Sequence, residues 1–426
     1  MFEIFKDYSK CTDCEYCLRA IDCAPKLLAD IDNRKYDCIG CGACAAGCPV
    51  EALSVQVREQ PATKLIEIKI NGESYQVPSK ITIERALEFA GFKLGRHELD
   101  GDADIRVYCD TGGCWSCTVF ADGSPVRACI TEVLDGMEIE LVSITEPEKD
   151  KGPEPVRLVH GFQAHTVGGV GTPWEIKRSG ERFIEAVCFT PGCNFRCPQC
   201  QNWRTTYLSV GTPMTPDEAA EKIMAVAQEY RVNRLAISGG EPTLNRPWLV
   251  KYFKKLTELG LSLNDMRLHL DTNGSILSES YLDELVSAGM TDIGIDLKGS
   301  KLSTFIRITG VKDKTLAEKY LTTAWNAVKY LVDNYNEKVF VGIGVPYNRR
   351  LISLGEIAEI GDRLNRIDSY LQVCVLDYRP EFRQAKSLRT PTSAEMKRVQ
   401  TILESTGLRN VICQTPEGYL PPKTSR

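Results

Sequence analysis

The sequence predicts a multidomain α/β protein, in which an open or full barrel of six or more βα units follows two small modules. Three observations lead there. From Phe183 onward, the strand candidates RFIEAVCFT, RLAISGG, MRLHLDTNG, DIGIDLK, KVFVGIGVP and YLQVCVLDY alternate with helix candidates such as PDEAAEKIMAVAQEY and LAEKYLTTAWNAVKYLVDNY. Near-continuous apolar strands separated by helices indicate a parallel sheet. The first sixty residues hold eight cysteines and too few apolar residues to fold without a staple. Between these regions, LIEIKINGESYQV turns at Asn71-Gly72 and TVFADGSPVRACI turns at Asp122-Gly123, with the helical pattern ITIERALEFAGF between them. Two hairpins and one helix predict a small β-grasp-like module ending near Val142.

The expected boundaries are 1–60, 61–145, a linker over 146–181, and 182–426 for the barrel. Within the linker, EPEKDKGPEP is charged and proline-rich. HGFQAHTVGGVGTP is glycine-rich and is read as an irregular connection rather than a loop over an active site. Polar motifs fall at the ends of the strand candidates (SGGEP, DTNG, DLK, VP and LDY), where such barrels place their chemistry.

Of 426 residues 43% are hydrophobic, which excludes a wholly disordered chain. A formal charge of −5 argues against a generally basic nucleic-acid binder. No apolar run approaches the roughly 18 residues a membrane span needs. The N-terminal MFEIFKDYSKCTDCEYC has no signal pattern. The expectation is a cytoplasmic protein with neither a nucleic-acid nor a membrane partner.

The 18 cysteines are not spread like disulfide partners; most fall into tight clusters. CIGCGACAAGCP holds Cys38, Cys41, Cys44 and Cys48 at bacterial-ferredoxin spacing, and Cys11, Cys14, Cys17 and Cys23 precede it. In that pattern three thiolates hold one cubane and the fourth reaches the other. The expected sets are therefore Cys11, Cys14, Cys17 with Cys48, and Cys38, Cys41, Cys44 with Cys23. Five residues rather than three separate Cys17 from Cys23. CDTGGCWSC places Cys109, Cys114 and Cys117 at plant-type spacing, with Cys129 downstream. It resembles the [2Fe–2S] domain of succinate and xanthine dehydrogenases. For both groups, zinc held by CxxC pairs is the alternative.

CNFRCPQC supplies only Cys193, Cys197 and Cys200, and three thiolates leave one iron of a cubane open. CQN, SGGEP, DTNG, DLK and ITGV follow in order. On these motifs, Phe183 to Tyr378 resembles the radical S-adenosylmethionine (SAM) superfamily, in particular the pyruvate formate-lyase activating enzyme group. The resemblance implies a third [4Fe–4S] cluster on those cysteines as the catalytic centre. It implies SAM contacts from Asn202, Gly239, Gly240, Glu241, Asp296 and Lys298, with GGE carbonyls receiving the amino group. It also implies a monovalent cation on Asp271, Thr272 and Asp296. Gln199 stands where the family usually has an aromatic residue, and Tyr378-Arg379 where a histidine is expected.

The implied function is reductive cleavage of SAM to a 5′-deoxyadenosyl radical that abstracts hydrogen. Three [4Fe–4S] clusters and one [2Fe–2S] cluster would serve it, fed by an external donor such as ferredoxin or flavodoxin. The substrate is a glycyl-radical enzyme or, alternatively, a peptide or small molecule. A second alternative is an electron-transfer subunit without SAM chemistry. Cys188, Cys374 and Cys413 are read as buried hydrophobes. His269 is read as facing the barrel interior. Arg379 and Arg383 are read either as anion-binding or as solvated.

Overall fold

The computed structural model describes residues 2–57, 64–142, 153–178, 180–260 and 265–423. Residues 146–152 and 179 of the expected linker, and 143–145 before it, lie outside them. The chain divides into two compact units. The first comprises Met1–His160, Thr190–Asn194 and Asn202–Thr215; the second comprises Gly161–Phe189, Phe195–Gln201 and Pro216–Arg426.

The first unit begins with strand β1 (Phe2–Lys6), short helices α1 (Tyr16–Ala20) and α2 (Ala43–Gly47), and β2 (Leu53–Val57), which pairs antiparallel with β1. Its apolar interior is small: Ile4, Ile21, Leu27, Ile39 and Ala43 are buried. A core of that size needs additional cross-links.

The next strands are β3 (Leu65–Ile70), β4 (Glu73–Pro78), β5 (Thr118–Ala121), β6 (Ser124–Arg127) and β7 (Glu138–Leu141), in sheet order β4-β3-β7-β5-β6. Both hairpins turn where the sequence places them. Asn71 and Gly72 have φ 50° and 87°, and Asp122 and Gly123 have 49° and 76°, the left-handed pair that tight hairpins demand. The central pair β3–β7 is parallel. Helix α3 (Ile83–Phe89) is capped by Thr82, whose hydroxyl accepts from Arg85 N at 3.2 Å. It buries Ile83, Ala86 and Leu87. A four-residue helix, α4 (Trp203–Thr206), also belongs to this unit.

The second unit is one nine-stranded sheet with its strands in chain order among the described residues. It runs β8 (Gly161–His165), β9 (Glu185–Thr190), β10 (Arg234–Gly239), β11 (Arg267–Thr272), β12 (Asp292–Asp296), β13 (Phe340–Tyr347), β14 (Gln372–Asp377), β15 (Asn410–Thr415) and β16 (Gly418–Leu420). Successive strands from β10 to β15 pair parallel, whereas β8 pairs antiparallel with β9 and β16 with β15. Helices α5 (Pro216–Tyr230), α6 (Arg246–Gly260), α7 (Glu279–Ser287), α8 (Leu302–Thr309), α9 (Lys314–Tyr335), α10 (Leu354–Ile367) and α11 (Ser393–Ser405) connect them. Six strands coincide with the sequence candidates. Strands β8, β15 and β16 have no counterpart among them.

The glycine-rich segment begins as strand β8, and only its part from Thr166 to Pro173 is irregular. After β8, residues 168–172 lie against the sheet. A Cβ on Gly171 would fall 2.5 Å from the Ile293 carbonyl carbon, and one on Gly342 would fall 2.3 Å from the Val170 carbonyl oxygen. A Cβ on Gly294 would fall 2.5 Å from Gly171 N. Main chain thus packs on main chain where β12 and β13 bear no side chain. Gln372 of β14 fastens the segment: its side chain accepts from Trp174 N at 2.8 Å and donates to the Thr172 carbonyl at 2.9 Å.

Candidate functional site

Each cysteine group can be taken with its own unit. In the first, Cys11, Cys14 and Cys48 lie near enough to Cys17 to raise its pKa together with burial, and burial with Cys23 and Cys38 pushes Cys41 up to about 12. Cys44 is raised by burial and by Cys41, Cys38 and Cys23. The proximities follow the two quartets expected from spacing. The Cys109 thiol receives hydrogen bonds from Cys114 and Cys129 that lower its pKa, and Cys117 faces Cys129. All four of these thiols are buried. Left-handed residues Asp110, Gly112 and Trp115 wrap the backbone around them. Four buried thiols joined in a chain of contacts, Cys114–Cys109–Cys129–Cys117, fit a small cluster, and inserting one must displace the protons that Cys114 and Cys129 retain. Among the described residues, no three His, Cys, Asp or Glu side chains surround a point suited to a single metal ion.

The loop CNFRCPQC passes from the first unit, which holds Cys193, into the second, which holds Cys197 and Cys200. In the second unit the ITGV motif cradles it. Arg196 N donates to the Thr309 carbonyl at 2.7 Å, and Gln199 Nε2 donates to the Ile308 carbonyl at 2.9 Å. Gly310 ends α8 at φ 70°, and a Cβ there would lie 2.5 Å from the Arg196 carbonyl oxygen. The glycine therefore serves both as a helix stop and as a seat for the loop. Gln384 N also donates to the Pro198 carbonyl at 3.1 Å.

Beyond the C-terminal end of β12, Lys298 is buried with its ammonium 3.0 Å from Asp296 Oδ2 and 2.7 Å from the Tyr378 hydroxyl. Burial works against that charge, but Asp296, Tyr378 and Cys197 outweigh it and raise the lysine pKa. Burial lifts Cys197 to about 12, with Lys298 opposing. Tyr378, which stands in the position where a histidine is expected, therefore anchors this lysine.

Glu241 is 1% exposed, and its carboxylate is committed inside the protein. It accepts from Thr243 N (3.1 Å), Thr243 Oγ1 (2.6 Å), Thr272 Oγ1 (2.7 Å) and Asn273 N (2.7 Å), tying the end of β10 to the end of β11. Gly239, at φ 121°, precedes it. The Glu241 side chain thus shapes the turn that follows β10. Glu241→Gln puts an amide N–H against backbone N–H donors. It is expected to cost about 2 kcal/mol of stability, read as a lower denaturant midpoint.

Asp271 accepts from Val170 N and lies 3.1 Å from His269 Nε2, and Thr272 donates to Glu241. Asp377, fully buried in β14, pairs with Arg379. Asn202 precedes α4, and its carbonyl accepts from Thr205 N and Thr206 N. Cys188, Cys374 and Cys413 are buried in strands.

Residues 187–349 match the model of the radical SAM superfamily. The chain carries a radical SAM domain. Residues 63–143 match a 2Fe-2S iron-sulfur cluster binding domain, and residues 35–54 match a 4Fe-4S binding domain. A probable GTP 3′,8-cyclase of Thermococcus kodakarensis is 30% identical over 145 residues, 34% of this chain and 43% of that protein. An AdoMet-dependent heme synthase of Methanosarcina barkeri is 33% identical over 131 residues, 30% of this chain and 35% of that protein. A pyruvate formate-lyase-activating enzyme of Staphylococcus aureus is 31% identical over 155 residues, 34% of this chain and 57% of that protein. The chain thus spans about a third to three fifths of the length of these relatives. The radical SAM match includes the CNFRCPQC loop, the 2Fe-2S match includes Cys109, Cys114, Cys117 and Cys129, and the 4Fe-4S match includes Cys38, Cys41, Cys44 and Cys48 but not Cys11, Cys14, Cys17 or Cys23. No described helix is long and apolar enough to cross a membrane.

Sequence reasoning passed over four residues that organise these regions. Arg127 and Glu185 are lone charges outside any motif. Val170 sits in the glycine-rich stretch, and Gln372 is one polar residue in an apolar strand candidate.

Proposed function

We propose that this protein is a radical SAM enzyme with its own iron-sulfur electron relay. Cys193, Cys197 and Cys200 would hold a [4Fe–4S] cluster, and the GGE main chain, Asn202, Asp296 and Lys298 would hold SAM. Bound there, SAM supplies a 5′-deoxyadenosyl radical and methionine on one-electron reduction, and the radical abstracts hydrogen from a substrate. The observation that carries this reading is the seating of a three-cysteine loop on Ile308, Thr309 and Gly310 within the matched domain. This chain's residues bind and orient: the buried Lys298 ammonium offers a fixed positive charge beside Cys197, and ITGV fixes the loop. The sheet is read as a partial (βα)6-type barrel, with residues 1–60 as a ferredoxin-like module and 61–145 as a β-grasp module. Asp271, Thr272 and Asp296 would hold a monovalent cation.

The two N-terminal modules would carry two [4Fe–4S] clusters and one [2Fe–2S] cluster, reduced by a donor such as ferredoxin or flavodoxin. The Staphylococcus aureus relative supports an activase-like role on a protein glycine; the other two relatives support a small-molecule substrate. Anaerobic reconstitution is expected to give about fourteen irons per chain, and reduced protein is expected to convert SAM to 5′-deoxyadenosine. Iron near four per chain, or near-stoichiometric zinc, would sink the auxiliary clusters. An absence of 5′-deoxyadenosine would sink the enzyme and favour the carrier. Adding candidate partner proteins and small molecules to the same assay identifies the substrate as the one that is consumed.

A further inference from the structure

Within the first unit, the Cys114 loop and the segment leading into Cys193 meet on two glycines. A Cβ on Gly113 would lie 2.5 Å from Gly192 N and 2.8 Å from Pro191 atoms. A Cβ on Gly192 would lie 2.6 Å from Cys114 N and 2.8 Å from Cys114 Cβ. Gly192 adopts φ 87°, and its N–H donates to the Thr206 carbonyl at 3.0 Å, so the segment is fixed from behind. Neither position has room for even a methyl group. Cys114 therefore touches the residue bonded directly to Cys193.

The same module grips the second run of cysteines. Arg127 donates to the Gly112 carbonyl (3.0 Å) and the Ser209 carbonyl (2.8 Å), and pairs with Asp22 (2.5 Å), the neighbour of Cys23. Arg85 donates to the Gly40 carbonyl (3.3 Å), between Cys38 and Cys41. Lys80 pairs with Asp37 (3.0 Å), next to Cys38. Three basic side chains of one module thus close on the Cys23, Cys38, Cys41 and Cys44 side of the other.

Resting on the radical SAM reading above, we propose that the Gly113–Gly192 contact is the junction through which the Cys109–Cys129 module delivers electrons to Cys193. The order of delivery is from the Cys23/Cys38/Cys41/Cys44 side, through this module, to the SAM site. Cys109, Cys114, Cys117 and Cys129 would hold a [2Fe–2S] one-electron donor, and Cys193 would help to hold the [4Fe–4S] acceptor, so that one electron would pass between them with no bond or proton moved. The electron is replaced by a one-electron donor protein. A competing path exists: Tyr16, between Cys14 and Cys17, packs on Trp203 with ring centroids 4.8 Å apart and donates to the Arg204 carbonyl at 2.9 Å. That path arrives three residues past Cys200, whereas Gly192 adjoins a ligand.

The test uses the full chain, reconstituted anaerobically and fully reduced. The [2Fe–2S] paramagnetic signal is expected to relax faster in the unaltered protein than in Cys197→Ala, which loses the SAM-site cluster. This comparison needs no change at the junction. Gly113→Ala, with its [2Fe–2S] visible spectrum retained, is expected to shrink that difference. It should also slow reduction of the SAM-site cluster by a donor protein several-fold in stopped flow. Tyr16→Leu should leave that rate unchanged. Equal relaxation in the unaltered protein and Cys197→Ala overturns the junction. So does a slowed rate in Tyr16→Leu alongside an unaltered rate in Gly113→Ala. A SAM-site cubane missing from the unaltered protein would instead defeat the underlying radical SAM reading, a separate outcome visible before any variant is made.

Discussion

Cys197→Ala is expected to reduce 5′-deoxyadenosine formation to background while the N-terminal clusters still assemble. Removing one of three thiolates leaves a cubane with two protein ligands, and no replacement is at hand. Cys188 is the nearest other cysteine in the sequence, and it is fully buried in β9 against the Tyr252 hydroxyl. Iron should fall by about four from about fourteen per chain, with the [2Fe–2S] absorption unchanged. Product is measured by chromatography of quenched, dithionite-reduced samples. Retained 5′-deoxyadenosine would refute the assignment of the SAM site to this loop.

Glu185→Ala should destabilise the second unit by about 3–5 kcal/mol, the usual consequence of removing one partner of a buried ion pair. Glu185 is 1% exposed. It accepts from Gly169 N at 2.9 Å, Thr172 Oγ1 at 3.2 Å and the His269 ring at 3.1 Å. His269 is fully buried between Glu185 and Asp271. Burial disfavours its charge, yet the two carboxylates raise its pKa to about 9, so it is a cation at neutral pH. Without Glu185 that cation keeps only Asp271. The measurement is the urea midpoint followed by the fluorescence of Trp174, Trp248 and Trp325, all buried in this unit. The double variant Glu185→Ala/His269→Leu removes the stranded charge and should recover part of the loss. A double variant as unstable as the sum of the singles would show that the charge pairing is not the cause.

Much of the fold was legible because the residues that encode it are neighbours in sequence. Helix α5 spans the very residues PDEAAEKIMAVAQEY whose apolar period marks it, and both hairpins turn at their Asn-Gly and Asp-Gly pairs. The iron-sulfur domains were legible in the same way, since their cysteines recur at short intervals. The illegible parts are pairings between distant positions, each unremarkable by itself. Gly294 and Gly342 look like weak points in strands until Val170 and Gly171 are seen lying on them. Arg127 looks like the polar end of a hairpin until Asp22 and Ser209 arrive from elsewhere in the chain. Gly113 and Gly192 explain each other only as a pair. Tyr378 illustrates a departure from family pattern that acquires a role in space, since it supplies the second partner of Lys298.

The glycine segment on the sheet also imposes a folding order. Residues 169–172 leave the ribosome long before the strands that receive them, and the Trp174–Gln372 hydrogen bond closes a loop of 198 residues. Bonds of that separation form late, after the entropy of the intervening chain has been lost. Fastening of the segment by Gln372 must therefore await synthesis of β14, although Glu185, Asp271 and Gly294, which the segment also meets, are made earlier. A chain ending before β13 would have the cysteine loop and the ITGV motif, yet would lack both Gly342, on which Val170 lies, and Gln372, which holds Thr172 and Trp174. The final latching of the segment and the completion of the sheet would then be a single event.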